Sequence, residues 1–320
     1  MTLISNDISK AVAILSQEEL VAIPTETVYG LAGNIYSEKA IKSIFEMKKR
    51  PFFNPLIVHI HSTSQLSDLV DDVPEKAKAL ASAFWPGSLT LVLKKKNTVP
   101  DLITAGKNSV AVRIPDHPIA LELLKSLDFP LAAPSANPFG SISPTNAKHV
   151  SDYFDGVLSM VLDGGDCVNG IESTIVGFEE DEPIVYRLGS ISLESIENVI
   201  GKVQIKNKKE AAPDAPGMLS RHYAPKTRTY LENDVEATVN RFPNKRIGVL
   251  LFQNSIEHEE IVSQEILSKN GDIKEATSQL YAALHRLDKQ NLDVIIAEKF
   301  PDFGLGKSIN DRLERATKTN

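Results

Sequence analysis

Six short segments of this chain concentrate side chains able to hold anions and small polar ligands. The first, PTETVYGLAGN (Pro24 to Asn34), follows a short apolar run and carries two threonines, a glutamate, a tyrosine and two glycines. That density of hydroxyls with glycine suits close contact with a polar ligand, although an ordinary turn leading into a helix has the same composition. The second, KKRPFFNPLIVHI (Lys48 to Ile60), sets Lys48, Lys49 and Arg50 at a helix end beside stiffening prolines, with Asn54 and His59 bracketing the next strand. A guanidinium so placed suits phosphate, and a basic cluster at a helix C-terminus also simply complements the helix dipole. His59 lies among Ile57, Val58 and Ile60, the usual setting of a core histidine.

In the third segment, VAVRIP (Val110 to Pro115), strand alternation faces Arg113 away from Val112 and Ile114. An inward arginine needs an anion, either a protein carboxylate or a substrate carboxylate or phosphate. The fourth, APSANPFGSISPT (Ala133 to Thr145), is a strand exit rich in hydroxyls and flexible backbone, a neutral cradle for phosphate or ribose oxygens. The fifth and sixth, GIESTIVGF (Gly170 to Phe178) and VYRLGSI (Val185 to Ile191), are strands with one polar anchor each, Ser173 and Arg187. Any one of these strings is compatible with a structural role; their joint occurrence on one sheet favours a site.

Several chemistries are excluded. The sequence has no G-x-G-x-x-G, G-x-S-x-G or H-E-x-x-H motif. GLGKS (Gly304 to Ser308) sits where a phosphate loop would, but Pro301 stands where the opening glycine belongs, so a turn with a capped helix is the better reading. The single cysteine, Cys167, can form neither an intrachain disulfide nor a thiolate zinc site. A net charge of −7, from 42 acidic against 35 basic residues, confines any nucleotide or RNA contact to a weak, local basic patch. No apolar run is long enough to span a bilayer and MTLISNDISK lacks a secretory pattern, which predicts a cytoplasmic protein without membrane contact.

The elements that must position these segments alternate between short strands and helices. Strands are expected at Leu20 to Thr25, Pro55 to Ile60, Ser88 to Leu93, Val110 to Ile114, Pro130 to Ala133, Ser159 to Leu162, Thr174 to Phe178 and Pro183 to Arg187. Helices are expected at Ser37 to Met47, Pro74 to Phe84, Ile119 to Ser126 and Leu193 to Ile200, with Glu26 to Tyr36 as a loop. Polar motifs then fall at strand ends, where open sheets place ligands. The composition shifts from Lys202 to Arg228, and within it PGMLSRHYAP (Pro216 to Pro225) reads as a segment that docks. Beyond it a strand (Arg246 to Phe252), a long amphipathic helix (Ile273 to Gln290), a strand (Leu292 to Phe300) and a closing helix (Ser308 to Lys318) form a small α/β unit.

Taken together, PTETVYGL, K-x-R-P with NPL, W-P-G-S-L-T, AVRIP, APSAN-x-x-G-x-x-S-P and ESTI resemble the YrdC/Sua5 family of threonylcarbamoyl-adenylate synthases, over roughly Leu3 to Ile200. HYAP and INDRLERA (Ile309 to Ala316) resemble its longer, Sua5-type members. The resemblance implies an α/β (α+β) open twisted mixed sheet with a concave active site over 1–205, a linker over 206–229 folded onto that site, and a small Rossmann-like α/β domain over 230–320. It implies that Thr27, His59, Arg113, Ala133 and Ser173 surround L-threonine. It likewise implies that Lys48, Arg50, Asn54, Ser109, Ser135, Asn137, Ser143, Arg187 and Tyr223 hold ATP, whose Mg²⁺ travels with it. The implied reaction joins L-threonine, bicarbonate and ATP into threonylcarbamoyl-AMP for t6A modification of tRNA adenosine 37, through a downstream transferase. No residue is expected to act as a covalent catalyst, because the attacking carbamate is already anionic and the protein need only position reactants and neutralise charge. The rival readings are a nucleotide- or double-stranded-RNA-binding module without this catalysis, and a carbamoyl-transferring maturation enzyme, which the lack of cysteines for a zinc finger disfavours.

Overall fold

Short apolar strands separated by capped helices fold here into two sheets. The structure, a computed structural model, describes residues 1–207 and 213–318. Residues 208–212 of the expected linker and 319–320 of the expected tail lie outside the described residues. The larger sheet contains β1 (Leu3–Ser5), β2 (Val21–Ile23), β3 (Gly30–Asn34), β4 (Ile57–His59), β5 (Leu89–Lys94), β6 (Ser109–Arg113), β7 (Leu131–Ala132), β8 (Met160–Leu162), β9 (Thr174–Glu179), β10 (Glu182–Arg187) and β11 (Gln204–Ile205). Their spatial order is β1-β8-β2-β3-β7-β4-β6-β5-β9-β10-β11, with parallel and antiparallel pairs mixed. The second sheet, β12 (Arg228–Glu232), β13 (Ile247–Leu251), β14 (Ile261–Ile266) and β15 (Val294–Glu298), runs in the order β12-β15-β13-β14 and is parallel throughout. The mixed first sheet and parallel second sheet agree with the expected fold class.

Helix Glu38–Lys48 starts where its serine predicts: Ser37 accepts from the Ala40 amide, and Ala40, Ile41, Ile44 and Phe45 turn inward. Helix Glu75–Phe84 follows Pro74, and helix Leu193–Ile200 is capped by Ser192. One correction concerns Glu26 to Tyr36, expected as a loop. Its second half is strand β3, antiparallel to β2. Gly30 and Gly33 hide it from an apolar count, yet a side chain at Gly33 would meet Leu20 Cδ2 at 2.9 Å and one at Gly30 would meet Ala133 Cβ at 3.0 Å. A side chain at either position would have to push Leu20 or Ala133 aside, so glycine eases the packing there.

At the chain's end, GLGKS is a turn and helix start. Lys307 pairs with Glu194 at 2.9 Å and Ser308 Oγ donates to the Gly189 carbonyl at 2.8 Å, so neither side chain is aimed at a phosphate. These contacts join helix Leu305–Ala316 to the larger sheet's connections. A side chain at Gly170 would meet the Ser278 backbone at 2.2 Å, so helix Ile273–Asp288 is pressed onto the same face.

Candidate active site

β4 and β6 lie parallel with His59 opposite Arg113, and both residues sit at strand C-termini. β9 begins and β10 ends at the same edge, bringing Ser173 and Arg187 alongside. The result is a partly open cavity lined by Thr27, Arg50, His59, Arg113, Ala133, Ser135, Ser173, Arg187 and Tyr223, with Thr25, Glu172, Gly217 and His222 among its other walls. Thus all five residues expected around L-threonine, and four of the nine expected around ATP, share one cavity.

Arg113 is nearly buried, and three of its five N–H groups are committed. Nη2 pairs with Glu26 Oε1 at 2.5 Å, Nη1 donates to Thr27 Oγ1 at 2.8 Å, and Nε donates to the Gly87 carbonyl at 3.2 Å. Glu26 is itself held by Ser88 Oγ and the Asp116 amide, both at 3.0 Å. The protein carboxylate therefore locks the guanidinium in place, and two donors remain for a second anion. Thr27 is fixed by Thr25, whose hydroxyl lies 2.8 Å from Thr27 Oγ1 and donates to the Val28 carbonyl at 2.7 Å. Burial, and after it the charge of Arg113, pulls His59 down to about 3, so its imidazole is neutral, and Nδ1 is buried with no partner.

The opposite wall is positively charged and short of acids. Lys48 donates to the carbonyls of Ser135 and Asn137, Arg50 to those of Asn54 and Pro55, and Arg187 to the Ser173 carbonyl and hydroxyl. Among the described residues none of these three cations has a carboxylate partner. All are buried; burial, then proximity to Arg187, pulls Arg50 down to about 9, and burial, then Arg50, pulls Lys48 well below its ordinary value. His222 is pushed the same way by burial and then by Arg50. Arg50 and Arg187 line the cavity, with Glu172 the carboxylate among its walls, while Lys48 stands behind the Ser135 to Asn137 loop. A buried cation without a paired carboxylate costs several kcal/mol in isolation, and an anionic ligand offsets that cost.

The remaining expected ATP residues stand off the cavity. Asn54 is fully buried, and both its side-chain N and O lack partners. Asn137 Nδ2 donates to the Pro138 and Ser141 carbonyls at 2.9 Å, shaping the loop that Lys48 braces. Ser143 is buried and donates to Glu172 Oε1 at 2.6 Å. Ser109 opens β6, about 13 Å from Arg113 at about 3.3 Å per residue, and does not line the cavity.

Residues 215–224 cross over the site. Ala224 donates its amide to the Gly140 carbonyl at 2.8 Å and bridges to Ser141, which fixes Tyr223 against the cavity. Gly217, at φ +89°, packs so tightly that a side chain there would meet Arg187 Cδ at 2.8 Å and the Tyr223 hydroxyl at 2.9 Å. Tyr223 adopts φ 61°, a conformation costly for a residue with a side chain, and its buried hydroxyl has no partner.

Sequence reasoning did not assign Glu26, Glu172, His222 or Gly217 to the site. Glu26 is flanked by two threonines of the first segment, and a carboxylate partner for Arg113 was one of the two alternatives, so its signal was present. Glu172 adjoins Ser173 but owes its role to Tyr281 and Arg312, more than a hundred positions away, whose contact only the fold reveals.

With this geometry in hand, comparisons with known proteins are informative. The profile of the Sua5, YciO and YrdC family, described as telomere recombination, matches residues 13–189. That of the threonylcarbamoyl-AMP synthase C-terminal domain matches residues 191–317. Threonylcarbamoyl-AMP synthase of Pyrococcus abyssi is 41% identical, covering 96% of this chain and 93% of the relative. That of Bacillus subtilis is 40% identical, over 97% and 92%. The crystal structure of P. abyssi Sua5 complexed with L-threonine superposes with a TM-score of 0.92 at 40% identity, covering 99% of this chain and 98% of that one.

Proposed function

Because this chain belongs to the Sua5/YrdC family of threonylcarbamoyl-AMP synthases, we propose that its cavity joins L-threonine, bicarbonate and ATP by positioning and charge neutralisation alone. The product, threonylcarbamoyl-AMP, serves the t6A modification of tRNA. The observation that carries the proposal is the division of the cavity into two walls. One holds a carboxylate-locked arginine with donors to spare; the other holds buried cations that lack any carboxylate partner.

L-Threonine is placed on the first wall. Its carboxylate takes the two remaining donors of Arg113, the hydroxyls of Thr27 and Ser173 bond its polar groups, and Ala133 limits its side chain. Neutral His59 offers a ring nitrogen as acceptor without adding charge. The α-amine attacks the carbon of bicarbonate, water leaves, and an N-carboxylate forms. That carbamate oxygen then attacks the α-phosphorus of ATP, and pyrophosphate departs with the electron pair of the broken P–O bond. Arg50 and Arg187 face the triphosphate and stabilise the charge that grows on the leaving group, and Lys48 supports that side by bracing the Ser135 to Asn137 loop. Buried Asn54, with both polar atoms unpaired, is assigned to the nucleotide, as are Ser135 and Tyr223; Ser143, Asn137 and Ser109 are kept as outer supports of the ATP side.

Magnesium enters as part of MgATP, held by phosphate oxygens and water. A cytoplasmic location and hand-over of the intermediate to a tRNA-modifying transferase are further parts of this proposal; no helix among the described residues is long and apolar enough to cross a membrane. Pyrophosphate release from MgATP and bicarbonate tests the reading: it should require L-threonine and fall with L-serine, which lacks the methyl group. Release indifferent to the amino acid would favour the nucleotide-binding alternative.

A further inference from the structure

The C-terminal helix Leu305–Ala316 sends two arginines toward the site. Arg312 is completely buried. Its Nε lies 3.3 Å from Glu172 Oε2, which also accepts from the Tyr281 hydroxyl at 2.9 Å, and its guanidinium sits 5.2 Å from the centre of the Tyr223 ring. Glu172 and Tyr223 both line the cavity; Arg312 does not. One turn on, Arg315 donates to the Leu219 and Asn207 carbonyls at 2.6 and 2.7 Å, tying the crossing residues and Asn207 to the helix, while Asp311 holds both arginines in orientation. An apolar side chain would dock this helix at less desolvation cost than a buried guanidinium, and Arg312 Nη2 is left without a partner at all. The arrangement makes sense if placing Glu172 and the tyrosine ring matters more than docking.

We infer that Arg312 is a positioning residue of the ATP wall, holding Glu172 and the Tyr223 ring from the C-terminal part, so that the Glu172 and Tyr223 side of this wall forms only when that part is docked. Glu172 in turn receives Ser143, so one contact from the last helix organises three groups on the nucleotide side. The L-threonine side is built without it: Arg113, Thr27 and Glu26 are bonded among themselves, to the Gly87 carbonyl and to Ser88 and Asp116. The inference rests on the assignment of Tyr223 and Arg187 to ATP.

The test uses the full chain as wild type, Arg312→Met, Arg312→Lys, Glu172→Gln and the Arg312→Met/Glu172→Gln double variant. The readouts are KM for ATP and for L-threonine from pyrophosphate release, and the melting-temperature shift produced by MgATP. Arg312→Met should raise the KM for ATP by about tenfold or more and leave that for L-threonine within about twofold. Arg312→Lys should recover part of the loss, and the double variant should be no worse than the poorer single one, because the effects run through one contact. Equal rises in both KM values, an additive double variant, or a lowered melting temperature with unchanged ATP response would overturn the inference. Should Arg312→Met fail to fold, Glu172→Gln weakens the same contact from its other end, and an unchanged KM for ATP there would overturn the inference. A wild-type chain without threonine-dependent release would instead refute the functional reading, and the MgATP melting shift would still report on Arg312.

Discussion

Replacing Arg50 with methionine should leave the ligand-free protein about as stable as the wild type while crippling its use of ATP. Burial, and then the neighbouring Arg187, pull this guanidinium well below its ordinary value, to about 9, a shift worth on the order of a few kcal/mol at about 1.36 kcal/mol per pKa unit. At pH 7, below both values, the group is charged folded and unfolded alike, so that cost is present in full and is relieved only as pH rises through about 9. Methionine fills similar space without charge but leaves the Asn54 and Pro55 carbonyls, now bonded at 3.2 and 2.7 Å, without a donor. Leaving a buried carbonyl unpaired costs about 1–3 kcal/mol, so the two together offset most or all of that relief. The ligand-free Tm should therefore shift by no more than about 3 °C. With ATP the effect is one-sided: losing a charge-assisted bond to phosphate, about 1.5–3 kcal/mol, raises the KM for ATP about 10- to 150-fold. Saturating MgATP should therefore raise the Tm of the wild type and barely move the variant. Thermal denaturation with and without MgATP, beside steady-state pyrophosphate release, reads both effects. A variant that melts lower than wild type and keeps its KM for ATP would refute the idea that this wall stores uncompensated charge for a ligand.

Three further outcomes follow from the same geometry. Arg113→Ala should raise the KM for L-threonine about 100-fold or more and, by leaving Glu26 buried without its cation, destabilise the fold by about 3–5 kcal/mol; steady-state kinetics and urea unfolding check both. Gly217→Ala should cost about 1–3 kcal/mol and raise the KM for ATP several-fold, because φ +89° and the Arg187 and Tyr223 contacts leave no room for a methyl group. His149 and His285 stack with ring centres 3.9 Å apart between helices Ala147–Phe154 and Ile273–Asp288, and burial holds them at about 3 and about 4. Both values lie below the unfolded 6.5, so the stack's contribution is complete above about pH 6.5 and lost as pH falls toward 4. A His149→Phe variant should show a shallower fall in Tm between pH 7 and pH 4.5; identical slopes would contradict this.

The sheet edge that forms the site was legible because its strands combine apolar runs with one polar anchor each, and alternation alone aims Arg113 inward. The capped helix after Ser37 was equally readable, since a serine followed by inward-facing Ala40, Ile41, Ile44 and Phe45 leaves little choice. Strand β3 was not, because Gly30 and Gly33 stand where Leu20 and Ala133 approach closely and carry no hydrophobic signal. Lys48 illustrates a second limit: a lysine at a helix C-terminus reads as a solvated dipole partner, whereas here it is buried and braces the Ser135 to Asn137 loop. Glu172 illustrates a third. Its partners Ser143, Tyr281 and Arg312 come from three distant stretches, and no local spacing announces that they meet.

The central claim, that one cavity joins L-threonine to ATP through bicarbonate, is tested most directly by following the carbon. The purified chain would be incubated with L-threonine, ¹³C-bicarbonate and MgATP, and the products read at once by mass spectrometry. The account predicts threonylcarbamoyl-AMP bearing the label in its carbamoyl carbon, formed together with pyrophosphate and absent when L-threonine is omitted. Consumption of ATP without a labelled threonine adduct would contradict it.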